Sequence, residues 1–211
     1  MIYLDSALIA VAQKAQQYGW VKGITTNPTL LAQSPLPPAE TLKELAQLTS
    51  GELYYQLMAT TSAAMVQEGR RAFDLIGSQL VLKIPATEAG FQALPQLAPE
   101  IVCSVTAIYS ATQAVIAVEG GARYAIAYVN RATRLLGNGL QLIAEMAAVV
   151  SHSPTEILAA SLKTPEEALQ ARLAGAHHLT LPWEILQGMT THPLSLQTQA
   201  DFNQQGCGIG W

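Results

Sequence analysis

Short apolar runs recur along the chain, and each is followed by a longer stretch whose apolar positions fall on one side of a helix. The runs are Ile2–Leu4, Gly23–Thr25, Leu53–Leu57, Leu80–Ile84, Ile101–Val105, Tyr124–Val129, Ile157–Ser161 and His178–Leu181. Most are continuous rather than alternating, the pattern of parallel strands covered on both faces. The stretches between them carry helix signals. Thr164-Pro165-Glu166-Glu167 reads as a capping box with proline at the first helical position, opening a helix that runs to Leu173 and stops at Gly175. Thr61 or Ser62 caps a helix with Val66, Phe73 and Ile76 on one face, and Thr87 caps the next. The spacing predicts further helices over Ala107–Val118, ending at Gly120-Gly121, and over Leu135–Val150.

Strand then helix, repeated eight times, predicts a parallel sheet, and eight such units close into an α/β fold of the (β/α)8 TIM-barrel kind. An open doubly wound sheet ranks second, because the chain has no G-x-G-x-x-G and no glycine-rich turn after an early strand. No linker or low-complexity stretch divides the 211 residues, a length at which α/β barrels occur as one domain. The expected domain is therefore a single barrel over residues 1–211, with a C-terminal helix and glycine-rich tail from about residue 193. Ser34–Pro38 reads as a local loop, and the tail from Gly206 to Trp211 reads as poorly ordered or docked on a neighbour.

Composition narrows the classes. With 50% hydrophobic residues the chain can build one sizeable core, and 12% charged residues suggests that some surface is covered in an oligomer. The formal net charge is -4 and no basic block appears, which argues against nucleic acid as a partner. Cys103 and Cys207 lie far apart with no C-x-x-C pair, so a reducing compartment fits better than a disulfide framework. The opening MIYLDSALIA lacks a signal peptide's basic start, and no apolar run approaches the ~20 residues of a membrane span. The expectation is a cytoplasmic protein with no membrane partner.

A barrel of this kind places its chemistry at the C-terminal ends of the strands. The polar residues there are Asp5, Thr25, Thr26, Asn27, Gln56, Lys83, Thr106, Tyr128, Asn130, Arg131, Ser161 and Lys163. The histidines, His152, His177, His178 and His192, are scattered and show neither H-x-x-x-H nor H-E-x-x-H spacing, so no metal site is expected. Lys83 is the sharpest signal, because it interrupts the apolar run Val81-Leu82-Lys83-Ile84-Pro85. Two readings compete: a lysine whose stem lies in the wall with its ammonium at the rim, or a partly desolvated amine with a lowered pKa that attacks a ketone. Asp5 could equally cap a helix starting near Ser6, Asn27-Pro28 could simply start a turn, and Tyr128 could be a core aromatic. Arg131 is either a surface arginine or, with Ser161 and Lys163 at neighbouring strand ends, a phosphate clamp.

Several of these stretches together resemble one family. Gly23-Ile24-Thr25-Thr26-Asn27-Pro28-Thr29 resembles the G-[VI]-T-T-N-P-[ST] signature of small transaldolases and fructose-6-phosphate aldolases. Val81-Leu82-Lys83-Ile84-Pro85-Ala86-Thr87 is similar to that family's V-x-K-[IV]-P-x-T segment. Tyr3-Leu4-Asp5, Thr106-Ala107-Ile108-Tyr109, Tyr128-Val129-Asn130-Arg131 and Ala159-Ala160-Ser161-Leu162-Lys163-Thr164-Pro165 follow in family order, so the resemblance covers nearly the whole chain.

The resemblance implies a Schiff-base mechanism with no cofactor and no metal. Lys83 would form the imine, Asp5 would assist carbon–carbon cleavage, and Asn27 would hold the donor hydroxyl. Arg131 and Ser161 would bind the acceptor phosphate; from their positions alone, Thr26 is counted with the substrate contacts and Lys163 is either another donor there or merely solvated. Transaldolases of the family carry glutamate on the third strand and phenylalanine on the sixth. The aldolase branch carries glutamine and tyrosine, as Gln56 and Tyr128 do here, and uses them with a threonine, here Thr106, to hold the catalytic water. The implied activity is cleavage of fructose 6-phosphate to dihydroxyacetone and glyceraldehyde 3-phosphate, or the reverse, by a homo-oligomer that is a decamer in that branch. Transfer of the dihydroxyacetone unit between sugar phosphates is the alternative, and a non-catalytic sugar-phosphate-binding barrel is the third. The chain departs from the family at Ala132-Thr133-Arg134, where an acidic residue is usual, and at Ile126-Ala127, where the family has a small residue and a proline.

Overall fold

A computed structural model describes residues 1–209 and shows a closed barrel of eight parallel strands in sequence order. The strands are β1 (Ile2–Asp5), β2 (Val21–Thr25), β3 (Glu52–Gln56), β4 (Leu80–Pro85), β5 (Val102–Ile108), β6 (Tyr124–Tyr128), β7 (Glu156–Ala160) and β8 (His178–Leu181), with β8 pairing back onto β1. Helices fill the connections: α1 (Ile9–Gln16), α2 (Pro28–Leu31), α3 (Pro38–Leu48), α4 (Ser62–Ile76), α5 (Glu88–Leu97), α6 (Ala111–Glu119), α7 (Val129–Leu136), α8 (Gly139–Val150), α9 (Pro165–Leu173), α10 (Trp183–Gly188) and α11 (Pro193–Gln205). Each strand lies within a few residues of its predicted place, and the (β/α)8 class holds.

Strand alternation divides the apolar residues between two layers. On β4, Leu80, Leu82 and Ile84 face outward and pack with Leu94 and Leu97 of α5, while Val81 faces the barrel interior with Tyr3, Tyr54, Tyr124, Ile126 and Leu158. The outer layer is the larger core, and each fully buried leucine or isoleucine in it contributes roughly 1.5–3 kcal/mol. Helix α5 sits tightly on the end of β4 because residue 90 is glycine: a Cβ there would lie 2.0 Å from the Pro85 carbonyl oxygen.

Four local expectations are corrected. The helix predicted from Ala107 starts at Ala111, capped by Ser110, because β5 continues to Ile108 with an irregular register after Val105 and with Ala107 at φ 60. The helix predicted over Leu135–Val150 is two helices: Gly137 takes a left-handed φ of 91 and Asn138 caps α8 afresh. Asp5 is not a helix cap, since α1 begins at Ile9 behind Leu8 and without a side-chain cap. The capping box of α9 is only half built. Thr164 Oγ1 accepts from Glu167 N at 3.0 Å, but the Glu167 carboxylate reaches past the cap to the Lys163 backbone N–H and to Asn130.

Both cysteines are free, Cys103 buried and Cys207 exposed. Among the described residues no helix is long and apolar enough to cross a membrane, and no group of three or more His, Cys, Asp or Glu could hold a metal ion. Helix α11 buries none of its residues. Of the expected glycine-rich tail, Gly210 and Trp211 lie outside the described residues.

Candidate active site

The C-terminal ends of the strands open onto a cavity of about 540 Å³. Lys83 lies at its floor. It is the second inward position of β4, two residues after Val81, and pairs in register with Gln56 on β3 and Ser104 on β5. The residue is 4% exposed, which excludes the rim-solvated reading. The amine donates to the Thr26 carbonyl oxygen at 2.7 Å. No ion pair found among the described residues involves it. Burial pushes its pKa down from 10.5 to about 8, against the opposing pull of the Asp5 carboxylate. At pH 7 that leaves roughly a tenth of the amine neutral, where an ordinary lysine would have less than a thousandth.

Asp5 ends β1 and lines the same cavity. Thr25 Oγ1 donates to its Oδ1 at 2.8 Å. Because that hydroxyl has one proton, the 2.5 Å contact between Thr25 and Thr180 places Thr180 as the donor to Thr25. Burial raises the Asp5 pKa above its ordinary value, with Lys83, the Thr25 hydroxyl and Lys163 acting in the other direction. A carboxyl with a raised pKa beside an amine with a lowered one is the arrangement in which protons move between groups at neutral pH.

A second polar group set stands on β3, β5 and β6. Thr106 Oγ1 donates to the Tyr128 hydroxyl oxygen at 3.2 Å. Burial raises the Tyr128 pKa, so its phenol stays protonated at neutral pH. Gln56 Oε1 is buried with no hydrogen-bond partner. It is the sole such side-chain atom among the described residues, and it belongs to the register neighbour of Lys83. A buried acceptor left open is costly unless something in the working enzyme donates to it.

Arg131, Ser161 and Lys163 line the cavity from the β6 and β7 ends, and the Arg131 guanidinium lies 5.2 Å from the centre of the Tyr128 ring. Asn27 also lines it, while its Oδ1 caps α2 by accepting from Leu30 N at 2.9 Å. Three of the sequence candidates are absent from the lining. Thr26 spends its hydroxyl on the Tyr54 carbonyl oxygen at 2.7 Å and meets Lys83 only through its own carbonyl. Thr106 is fully buried behind Tyr128. Asn130 turns its amide to Glu167. Thr180 and Met58 line the cavity and were not singled out from sequence. Thr180 carried a usable signal, since it is an inward polar position on a strand whose Leu179 and Leu181 face the outer core. A wider recess of about 840 Å³ between the starts of α4 and α5 shares Gln56 and Met58 with this site but is not lined by Lys83, Asp5 or Tyr128.

Comparison with known proteins identifies the family. The model of the family "Transaldolase/Fructose-6-phosphate aldolase" matches residues 2–207. A probable transaldolase of Aquifex aeolicus is 35% identical over 196 residues, which is 92% of this chain and 90% of the relative. One from Geobacillus sp. is 32% identical over 210 residues, 96% and 98% of the two chains. Among solved structures, a mandelate oxidase carrying an FMN monooxide adduct superposes with a TM-score of 0.63 at 18% identity, over 87% of this chain and 64% of that one. At that identity the likeness concerns the barrel fold alone.

Proposed function

We propose, for a chain that belongs to the transaldolase/fructose-6-phosphate aldolase family, a class I aldolase activity on ketose phosphates with Lys83 as the nucleophile. Family membership makes it an enzyme of aldolase or transaldolase type. The finer reading rests on one observation: the Lys83 amine, held in the barrel interior with its pKa near 8, faces the cavity beside a buried carboxylate.

The neutral Lys83 amine attacks the C2 ketone of fructose 6-phosphate, and loss of water leaves an iminium. Asp5 accepts the proton of the C4 hydroxyl. The C3–C4 bond then breaks, the C4 fragment leaves as glyceraldehyde 3-phosphate, and the bonding electrons enter the iminium to give the dihydroxyacetone enamine. Tyr128, whose hydroxyl is fixed from behind by Thr106, supplies a proton through a water that donates to the open acceptor Gln56 Oε1. Protonation at C3 and hydrolysis free dihydroxyacetone and restore the amine, and the proton taken up by Asp5 returns through water to Tyr128. Asn27 orients the donor hydroxyls, and Arg131, Ser161 and Lys163 hold the phosphate. Thr26 contributes its carbonyl, which fixes the amine, rather than its side chain. The chemistry needs neither metal nor cofactor.

Borohydride reduction in the presence of dihydroxyacetone, followed by peptide mass spectrometry, is expected to mark Lys83. An active preparation in which Lys83 stays unmodified would end the reading.

A second reading, transfer of the dihydroxyacetone unit to an aldose phosphate, is favoured by the names of the curated relatives. The two differ only in whether the enamine is protonated and then hydrolysed or adds to an aldehyde. Turnover of fructose 6-phosphate with and without erythrose 4-phosphate separates them: free dihydroxyacetone without acceptor supports the aldolase. Changing Tyr128→Phe together with Gln56→Glu is expected to move the ratio toward transfer.

An assembly of several copies belongs to the same proposal. It is supported by α11, which buries nothing and exposes Leu194, Leu196 and Phe202. A species of one chain's mass by sedimentation velocity at micromolar concentration would remove it.

A further inference from the structure

We infer that Glu167, a carboxylate outside the cavity lining, is a positioning residue that sets the preference for a phosphorylated over an unphosphorylated aldehyde. The inference rests on the reading of Arg131, Ser161 and Lys163 as the phosphate contacts.

Those contacts come from two separate segments. Arg131 stands in the first turn of α7, and Ser161 and Lys163 stand in the loop between β7 and α9. Helix α7 starts directly from β6 with no side-chain cap, and Ser161 sits at φ 58, a left-handed conformation that disfavours a residue with a Cβ. Three bonds join the two segments. The Asn130 backbone N–H donates to the Ser161 carbonyl oxygen at 3.1 Å. Glu167 supplies the other two with one carboxylate: Oε1 accepts from Asn130 Nδ2 at 2.6 Å, and Oε2 accepts from the Lys163 backbone N–H at 2.7 Å. Glu167 is itself fixed at the start of α9, where its own N–H is capped by Thr164. The residues bridged are the chain neighbour of Arg131 and Lys163 itself. A carboxylate that clamps both arms of an anion site controls the spacing of its donors, and a displacement of about 1 Å in such a site can cost on the order of a hundredfold in rate.

Electrostatics alone predicts the opposite sign. A negative charge near Arg131 and Lys163 opposes a phosphate, so its removal should tighten phosphate binding. The two accounts therefore separate cleanly. Aldol addition of dihydroxyacetone to glyceraldehyde 3-phosphate and to glyceraldehyde would be measured for the parent, Glu167→Ala, Glu167→Gln and Asn130→Ala. The expected result is a fall of roughly tenfold or more in kcat/KM with the phosphorylated aldehyde in Glu167→Ala, mostly through KM, with the unphosphorylated aldehyde changed less than about twofold. Glu167→Gln should keep most of the preference, because a flipped Asn130 amide can bond to the new amide while Oε1 still accepts from Lys163. Asn130→Ala should lose part of it, and this variant decides the matter if Glu167→Ala does not fold. An unchanged or strengthened phosphate preference in both Glu167→Ala and Asn130→Ala overturns the inference, as does an equal loss on both aldehydes. A parent enzyme that takes both aldehydes alike removes the phosphate assignment itself and this inference with it, whereas failure to trap Lys83 would strike the aldolase reading instead.

Discussion

At the scale of single residues, the chemistry turns on where Lys83 is forced to sit. The parity of β4 sends it into the barrel, and its length carries the amine to the Thr26 carbonyl rather than to solvent. The resulting fall in pKa to about 8 fixes a pH dependence. The rate of imine formation should follow the neutral amine, so kcat/KM is expected to rise with pH through about 8 and then level off. Tyr128 adds no falling limb in that range, because burial pushes its pKa above the ordinary value of 10.0. A steady-state profile that is flat from acid to alkaline pH would show that another group controls the reaction. Stability carries the same sign. With a folded pKa below the unfolded 10.5, the unfolded chain binds more protons between about pH 8 and 10.5, so the penalty that Lys83 places on folding is progressively relieved as pH rises through that window. Below it the full cost of burying the ammonium, roughly 3 kcal/mol, is present.

At the scale of elements, irregular geometry gathers at the strand ends that carry polar groups. The two non-glycine residues with positive φ among the described residues are Ala107, next to Thr106, and Ser161. Ala107 is where β5 loses its simple register with β6, and the displaced chain brings Thr106 to within 3.2 Å of Tyr128. A β-branched side chain cannot take that conformation without strain. Ala107→Val is expected to lose about 2 kcal/mol, a fall of roughly 4–8 °C in thermal midpoint for a chain of this size, while Ala107→Gly should leave the midpoint unchanged or slightly higher. Scanning calorimetry of the pair checks this, and equal midpoints would show that the bulge carries no strain. The same element explains why the α6 start was misplaced from sequence. Apolar and β-branched residues run on through Val105-Thr106-Ala107-Ile108, and only the hydrogen bonding with β6 says where strand ends and helix begins.

At the scale of the whole molecule, the barrel separates its work between two ends. At the end opposite the cavity, one carboxylate gathers three strands: Glu52 of β3 accepts from the Tyr3, Tyr54 and Tyr124 hydroxyls at 2.7, 2.9 and 2.7 Å. These phenols sit in the barrel interior, where a hydroxyl without an acceptor costs roughly 1–3 kcal/mol. Glu52→Ala is expected to lower the thermal midpoint by at least about 5 °C. It should leave kcat/KM within about twofold, because conservation of chemistry at one face and stability at the other is the habit of this fold. Thermal melts and steady-state rates on the same preparation test both halves. A large loss of activity with an unshifted midpoint would contradict this division.

What the sequence determined by itself is what local pattern and parity encode. Continuous apolar runs placed eight strands, their alternation with capped amphipathic stretches implied the closed parallel barrel, and a lysine breaking one such run marked the inward position that faces the cavity. What the tertiary structure decided is which polar groups meet. Thr26, just past the end of β2, and Thr180 on β8 look alike in sequence, yet one bonds across to Tyr54 while the other completes the chain that ends on Asp5. Gln56 is left with an open acceptor, and Glu167 abandons its own cap to clasp Asn130. The reason is physical. Backbone periodicity is set by neighbours a few residues away, but the partner of a buried polar atom comes from strands distant in sequence, and only closure of the barrel brings those strands together.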